Sequence, residues 1–241
     1  MKQSIGLLAL LCGWEIAARL FTSPFLPPLT RIVPALWALL ISGEAWRHAG
    51  VSLHTILLGF GVASVVGVTL GVAMADSATI RAALTPVVDA VRPVAALTLF
   101  PLIILVLGLG IGSKVFVIFW TAWPAVLLNT VQALNDVDPA VLEAARLDGA
   151  GRGALLWAIK LPLAMSIIIT GLRVGMSGGW ISLIAAEMLG ANAGLGYSIL
   201  AYSQTFRFPE MYAVIFLIAW LGLLLNSGMA GIQAAVKQIY S

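Results

Sequence analysis

Residues 143–162 read EAARLDGAGRGALLWAIKLP, a charged, glycine-punctuated island in a chain that is otherwise lipid-like. The 241 residues are 61% hydrophobic and only 10% charged, with a mean hydropathy of +1.05. A soluble domain carries about a quarter charged residues. Lipid must therefore be the solvent for much of this chain. A structured polar stretch between two apolar runs needs a reason, and docking a soluble partner is the best one.

The island has its own helix signals. Asp138-Pro139 is a helix start, with Asp as N-cap and Pro at the first helical position. The helix should run to about Asp148, where Gly149 can take the left-handed conformation that ends it. Glu143 and Arg146, three apart, can pair on one face, and Ala144 and Ala145 keep another face low. A second helix over 152–160 puts Leu155, Leu156 and Ile159 on one side, and Pro162 stops it before the next span. The product is a helix–glycine–helix elbow. Periodicity alone leaves a solvated connector with ordinary caps as an equal alternative.

Outside the island, six segments have the roughly 20 apolar residues that a span needs: 5–21, 52–75, 86–109, 115–134, 161–188 and 211–236. Gly59, Gly61, Gly67 and Gly71 form a small-residue stripe of the kind that lets helices approach closely in lipid. The N-terminal run resembles a signal peptide but lacks a small-x-small cleavage site, so it reads as an uncleaved first span. With a cytoplasmic N-terminus, eight Lys/Arg fall on or nearer the inner side and five on the outer side. Both termini and the island then lie in the cytoplasm. The stretch 22–30 with Pro24, Pro27 and Pro28 reads as extended, and 31–42 as a short amphipathic helix at the outer interface. The organisation is 1–50 (first span, proline-rich connection, amphipathic helix), 51–236 (transmembrane core with loop 138–160) and a 237–241 tail.

The spacing Glu143-Ala144-Ala145, three residues, Gly149, nine residues, Ile159-x-Leu161-Pro162 resembles the EAA loop of importer-type permeases of the ATP-binding-cassette (ABC) class. Further stretches look like the nitrate/sulfonate/taurine-type family: Leu26-Pro27-Pro28-Leu29-Thr30, Gly108-Leu109-Gly110, Ser113-Lys114, Gly171-Leu172-Arg173 and Gly194-Leu195-Gly196. The likeness covers nearly everything from about residue 26. It departs at Arg92-Pro93-Val94-Ala95-Ala96, where family members carry more prolines, after Pro162, and at Asn226, where Asp is common. Those departures bear on solute and path more than on class.

The resemblance implies an all-α membrane protein of six transmembrane helices with a cytoplasmic coupling elbow, the type I ABC importer permease fold. It also implies a multi-pass subunit of the bacterial inner membrane, paired with a second copy as a homodimer. An ATPase dimer would sit inside and a solute-binding protein outside. Glu143, Ala144, Ala145, Arg146, Gly149, Ile159, Leu161 and Pro162 would meet or follow the ATPase. The solute would be a small anion such as nitrate, a sulfonate, taurine or bicarbonate. The chain itself would bind no cofactor, ATP and magnesium being used by the partner.

Arg173, Ser177, Trp180 and Glu187 are the candidate path residues. Arg173 lies eleven residues past Pro162, about 16 Å along a helix, where a cation needs a cavity, a partner or a snorkel path. It can equally be a structural pair with a neighbouring span. Ser177-Gly178-Gly179 suits a gate or plain helix packing, and Trp180 suits packing better than a solute cage. Glu187 would repel an anion, which favours a role in ordering the 190–196 turn. Glu15 and Arg19, four apart, can pair.

No Gly-x4-Gly-Lys-Ser/Thr loop and no His-Glu-x-x-His is present, so neither a phosphate-cradling loop nor a zinc-hydrolase motif is visible. His48 and His54 lack a third ligand at metal spacing, and the single Cys12 excludes a disulfide framework. A net charge of +3, spread out, gives nucleic acid no footing. A stand-alone secondary transporter or channel is the alternative, but it calls for inverted repeats and intramembrane ion ligands, and neither is found.

Overall fold

A computed structural model describes residues 2–21 and 23–240, with the side chains of all of these except 2–5, 7–10, 239 and 240. Every regular element among them is helical: α1 Lys2–Phe21, α2 Leu29–Ile41, α3 Glu44–Asp76, α4 Ala78–Val91, α5 Ala96–Leu107, α6 Ile111–Asn135, α7 Pro139–Leu147, α8 Arg152–Ala154, α9 Leu161–Gly190, α10 Leu195–Gln204 and α11 Phe208–Tyr240. Two compact units emerge. One comprises residues up to Leu53 with Glu187–Leu221, the other His54–Ala186 with the residues from Gly222 onward.

In the first unit α1 anchors the proline-rich connection. Trp14 Nε1 donates to the Pro27 carbonyl at 3.2 Å. Pro28 offers α2 no side-chain cap, and Glu15 supplies one from a distance, accepting the Leu29 N–H at 2.7 Å and the Thr30 hydroxyl at 3.2 Å. The Glu15–Arg19 pair expected from spacing is present at 2.7 Å. The extended stretch ends at Pro28, and Thr30 already belongs to α2.

In the second unit α6 is the hub, with Val117, Ile118, Val126, Leu127, Ala133 and Leu134 buried. Gly59, Gly67 and Gly71 of α3 lie on it so closely that a Cβ would come within 2.7 Å of Ile118, 2.8 Å of Val126 and 2.6 Å of Thr130. Gly175 and Gly179 of α9 press on Val126 and Ile118, at 3.0 and 3.1 Å for a built Cβ. Small residues thus seat both neighbours against α6 backbone to backbone. Gly61 is not part of this face and meets nothing within 4 Å.

Four of the six expected spans stand as single long apolar helices, in Glu44–Asp76, Ile111–Asn135, Arg152–Gly190 and Phe208–Gln238. The first expected span falls in α1. The segment expected as one span over 86–109 is instead two helices, α4 and α5, meeting at 94°. Pro93 lies in the four-residue break and lacks an amide for the ladder; Arg92 before it keeps helical angles, and the backbone turns extended at Ala95.

A second correction concerns Pro162, which does not stop a helix. A π-helical turn, Leu155–Lys160, joins α8 to α9, and Arg152–Gly190 runs on as one 39-residue helix. The Leu161 N–H reaches back five residues to the Leu156 carbonyl. This wider register absorbs the missing amide and the ring of Pro162 without ending the helix. Helix α10 was not anticipated at all; its inward positions Leu195, Ser198 and Tyr202 sit at helical spacing but are too few and too polar to announce it.

Candidate functional site: the elbow and the polar groups of the spans

The elbow is built by local capping. Asp138 Oδ1 accepts the Ala140 N–H at 2.8 Å and opens α7. At the other end the Gly149 N–H donates to Arg146 O at 3.0 Å and the Ala150 N–H to Ala145 O at 2.9 Å. Gly149 has φ +86°. These two bonds with a left-handed glycine are a Schellman motif. The second arm begins three residues later at Arg152, and the Leu155 N–H donates to Gly151 O at 2.9 Å.

Glu143, Ala144, Arg146 and Gly149 are exposed, while Ala145, Ile159, Leu161 and Pro162 are half-buried. Leu142 and Leu161 pack on the core formed by Ala133, Leu134, Val137, Ala164 and Ile168. The elbow therefore stands on the end of α6 and the start of α9 with one face free. Among the described residues no ion pair joins Glu143 to Arg146; the ion pairs there are Glu15–Arg19 and Arg207–Glu210. Arg146 instead borders a cleft of about 170 Å³ with Asp76, Arg152 and Lys160.

Arg173 is half-buried on α9 and held by neutral groups of α11. Its Nε donates to Asn226 Oδ1 at 3.3 Å and its Nη1 to Gln233 Oε1 at 2.9 Å. Gln233 in turn donates to Thr170 Oγ1 at 2.7 Å and Ser166 O at 3.0 Å. No carboxylate among the described residues neutralises the guanidinium. Ser177 is exposed and its hydroxyl donates to Arg173 O at 3.0 Å, four residues back on the same helix. Trp180 is buried, and no acceptor among the described residues takes its Nε1–H. Gly222 makes room for that indole, since a Cβ there would meet Nε1 at 3.0 Å.

Glu187 belongs to the first unit and is 1% exposed. Ser52 Oγ lies 2.8 and 2.9 Å from its two carboxylate oxygens, and the Gly196 N–H donates to Oε2 at 2.9 Å. The Leu195 N–H donates to Ser52 Oγ at 2.9 Å and the Gly194 N–H to His48 Nδ1 at 3.1 Å. Gly194, at φ +123°, has the Glu187 carboxylate directly against its α-carbon. Three consecutive amides of the 190–196 turn are thereby satisfied from α3 and α9. Nearby, the Tyr202 hydroxyl donates to Glu44 Oε1 at 2.8 Å. Burial and then this bond hold the phenol well above the usual tyrosine range. Sequence reasoning missed Ser52, His48, Tyr202 and Glu44, whose partners lie more than 130 residues away.

The family model for binding-protein-dependent transport system inner membrane components matches residues 63–238. The chain belongs to this family. The permease is 33% identical over 238 residues to the taurine transport system permease protein TauC of Escherichia coli K12, covering 95% of this chain and 86% of TauC. It is 27% identical to the nitrate import permease protein NrtB of Synechocystis PCC 6803, over 98% of this chain and 89% of NrtB. It is thus an ABC importer permease of the nitrate/sulfonate/taurine family. The inward-facing MetNI methionine ABC transporter matches the fold with a TM-score of 0.70 at 20% identity, over 84% of this chain and 98% of that one. The permease fold is therefore the all-helical type I importer fold.

Proposed function

We propose that this permease forms the membrane path of an ATP-driven importer of small solutes bearing a compact oxyanion, sulfonate or nitrate being the model groups. The names of TauC and NrtB support that solute class. In this reading the elbow 138–160 docks on an ATPase dimer, with Glu143, Ala144, Ala145, Arg146 and Gly149 at the contact. Ile159, Leu161 and Pro162 pass the displacement into α9. ATP and magnesium are the ATPase's. A second permease copy completes the path, and a binding protein delivers solute from outside.

One observation carries the coupling role. The elbow's free arm is locked by a Schellman cap to an arm that runs unbroken into a 39-residue helix. A rigid lever of this kind transmits a partner's two states through differential contacts. Gly149→Val tests it. Nothing crowds the position, so the substitution acts only through φ, at a cost of about 1–2 kcal/mol in the left-handed region. The complex in proteoliposomes should insert and assemble normally yet lose most binding-protein-stimulated ATPase activity and uptake. Wild-type coupling in that variant removes the elbow from the mechanism.

A further inference from the structure

The break in the third span opens a cavity of about 510 Å³ against α6, within the roughly 300–1,000 Å³ typical of small-molecule sites. Its wall follows α6 from Trp120 to Gln132, about 18 Å at the helical rise. The lining holds one charged side chain, Arg92, and no carboxylate. No hydrogen bond or ion pair among the described residues holds the Arg92 guanidinium. Trp120 Nε1 donates to the Val94 carbonyl at 3.1 Å and fixes the bend beside it. Helix α5 starts at the cavity edge with no side-chain cap, so its first amides add their partial positive charge to that of Arg92. Across the cavity Asn129 is anchored by Nδ2 on Ala125 O at 2.8 Å and wedged against Gly171. The Gln132 amide bonds to no side chain or backbone among the described residues and is free to donate.

Arg92 is exposed at this break, and a cation placed in the break of a membrane span draws an anion or water to itself. We propose that this cavity is where the permease receives the oxyanion of its solute, with Arg92 as the electrostatic anchor and Gln132 as a donor from the facing wall. The inference rests on the reading that the solute is a small oxyanion, and it assigns that solute a place distinct from Arg173, whose Nε and Nη1 are already bonded to Asn226 and Gln233.

The test uses the assembled transporter in liposomes, with the permease carrying Cys12→Ser and Ala125→Cys. The thiol at the cavity wall is titrated with the anionic sulfonatoethyl and the cationic trimethylammonioethyl methanethiosulfonates, each rate normalised to that of a free thiol. The anionic reagent should be favoured by about tenfold, taurine or nitrate should slow it, and Arg92→Gln should erase the preference while Arg92→Lys keeps it. Equal normalised rates, or a preference that survives Arg92→Gln, overturn the proposal. If Arg92→Gln does not assemble, Gln132→Glu decides: a carboxylate on that wall must cut the anionic preference, and an unchanged ratio refutes the site. Uptake of taurine and nitrate by the same liposomes separates the two readings. Anion preference without uptake of either supports the cavity and refutes the solute class, whereas uptake without preference refutes the cavity alone.

Discussion

Glu187 illustrates how far a single buried acid is specified by its surroundings. Ser52 Oγ and the Gly196 N–H both donate to its carboxylate, and such donors are the condition under which a buried charge is tolerable. The environment is built for a carboxylate and not merely for a polar group. Glu187→Gln preserves the shape but turns one acceptor into an NH2 facing a donor, and a mismatched buried pair costs about 1–3 kcal/mol. Ser52→Ala removes the acceptor of the Leu195 N–H and belongs in the same range. Both should lower the detergent-solubilised unfolding temperature and raise the labelling rate of a cysteine placed at Asn192 in the turn. Unchanged labelling in both would mean the turn is ordered by other groups. At Gly194, φ and the adjacent carboxylate each exclude a side chain, so the turn depends on that glycine twice over.

At the scale of elements, the α3–α6 contact makes a paired prediction. Gly67→Ala drives a Cβ to 2.8 Å from Val126 and 3.0 Å from the Trp123 carbonyl, a backbone atom that cannot yield. A loss of about 1–3 kcal/mol is expected from such overpacking. Gly61→Ala, in open space, should stay within about 0.5 kcal/mol; denaturant titration of the two variants side by side checks the difference. The sequence contained the stripe but not its direction, because composition marks small residues and only the partner helix decides which of them it covers. The bend at 92–95 was hidden for a related reason: a hydropathy window counts apolar residues and is blind to a change of axis. The rule that proline ends a helix failed at Pro162 because a π turn, which no local residue type announces, shifted the register first. The first arm of the elbow and its glycine stop were legible, since Asp138, Pro139 and Gly149 act on amides a few residues away, whereas the second arm's π turn into α9 was not. The knot around Glu187 was not, since Ser52 is 135 residues distant.

For the whole molecule the telling quantity is parity. Four described helices can cross a bilayer singly and the bent α4–α5 pair makes a fifth; α1, at 20 residues, spans about 30 Å. Six crossings put both termini on one side, and five would separate them. The charge pattern chooses the side. Arg81, Arg146, Arg152 and Lys160 cluster where α3 and α6 end and the elbow begins, with Arg81 tied to Met74 O at 2.9 Å and to Asn135 Oδ1 at 3.4 Å. A basic cluster of this kind is retained in the cytoplasm during insertion. Fusions of alkaline phosphatase, active only outside, and of a fluorescent protein that matures only inside should therefore report the same side at both ends. The cytoplasmic reporter should light at the N-terminus, at the C-terminus and at an insertion after Gly149, and the phosphatase should be active at an insertion after Gly43. An active phosphatase after Gly149 would invert the topology and remove the elbow from reach of any cytoplasmic ATPase. An active phosphatase at the N-terminus alone would show that α1 lies along the membrane, leaving five crossings and a path built without it.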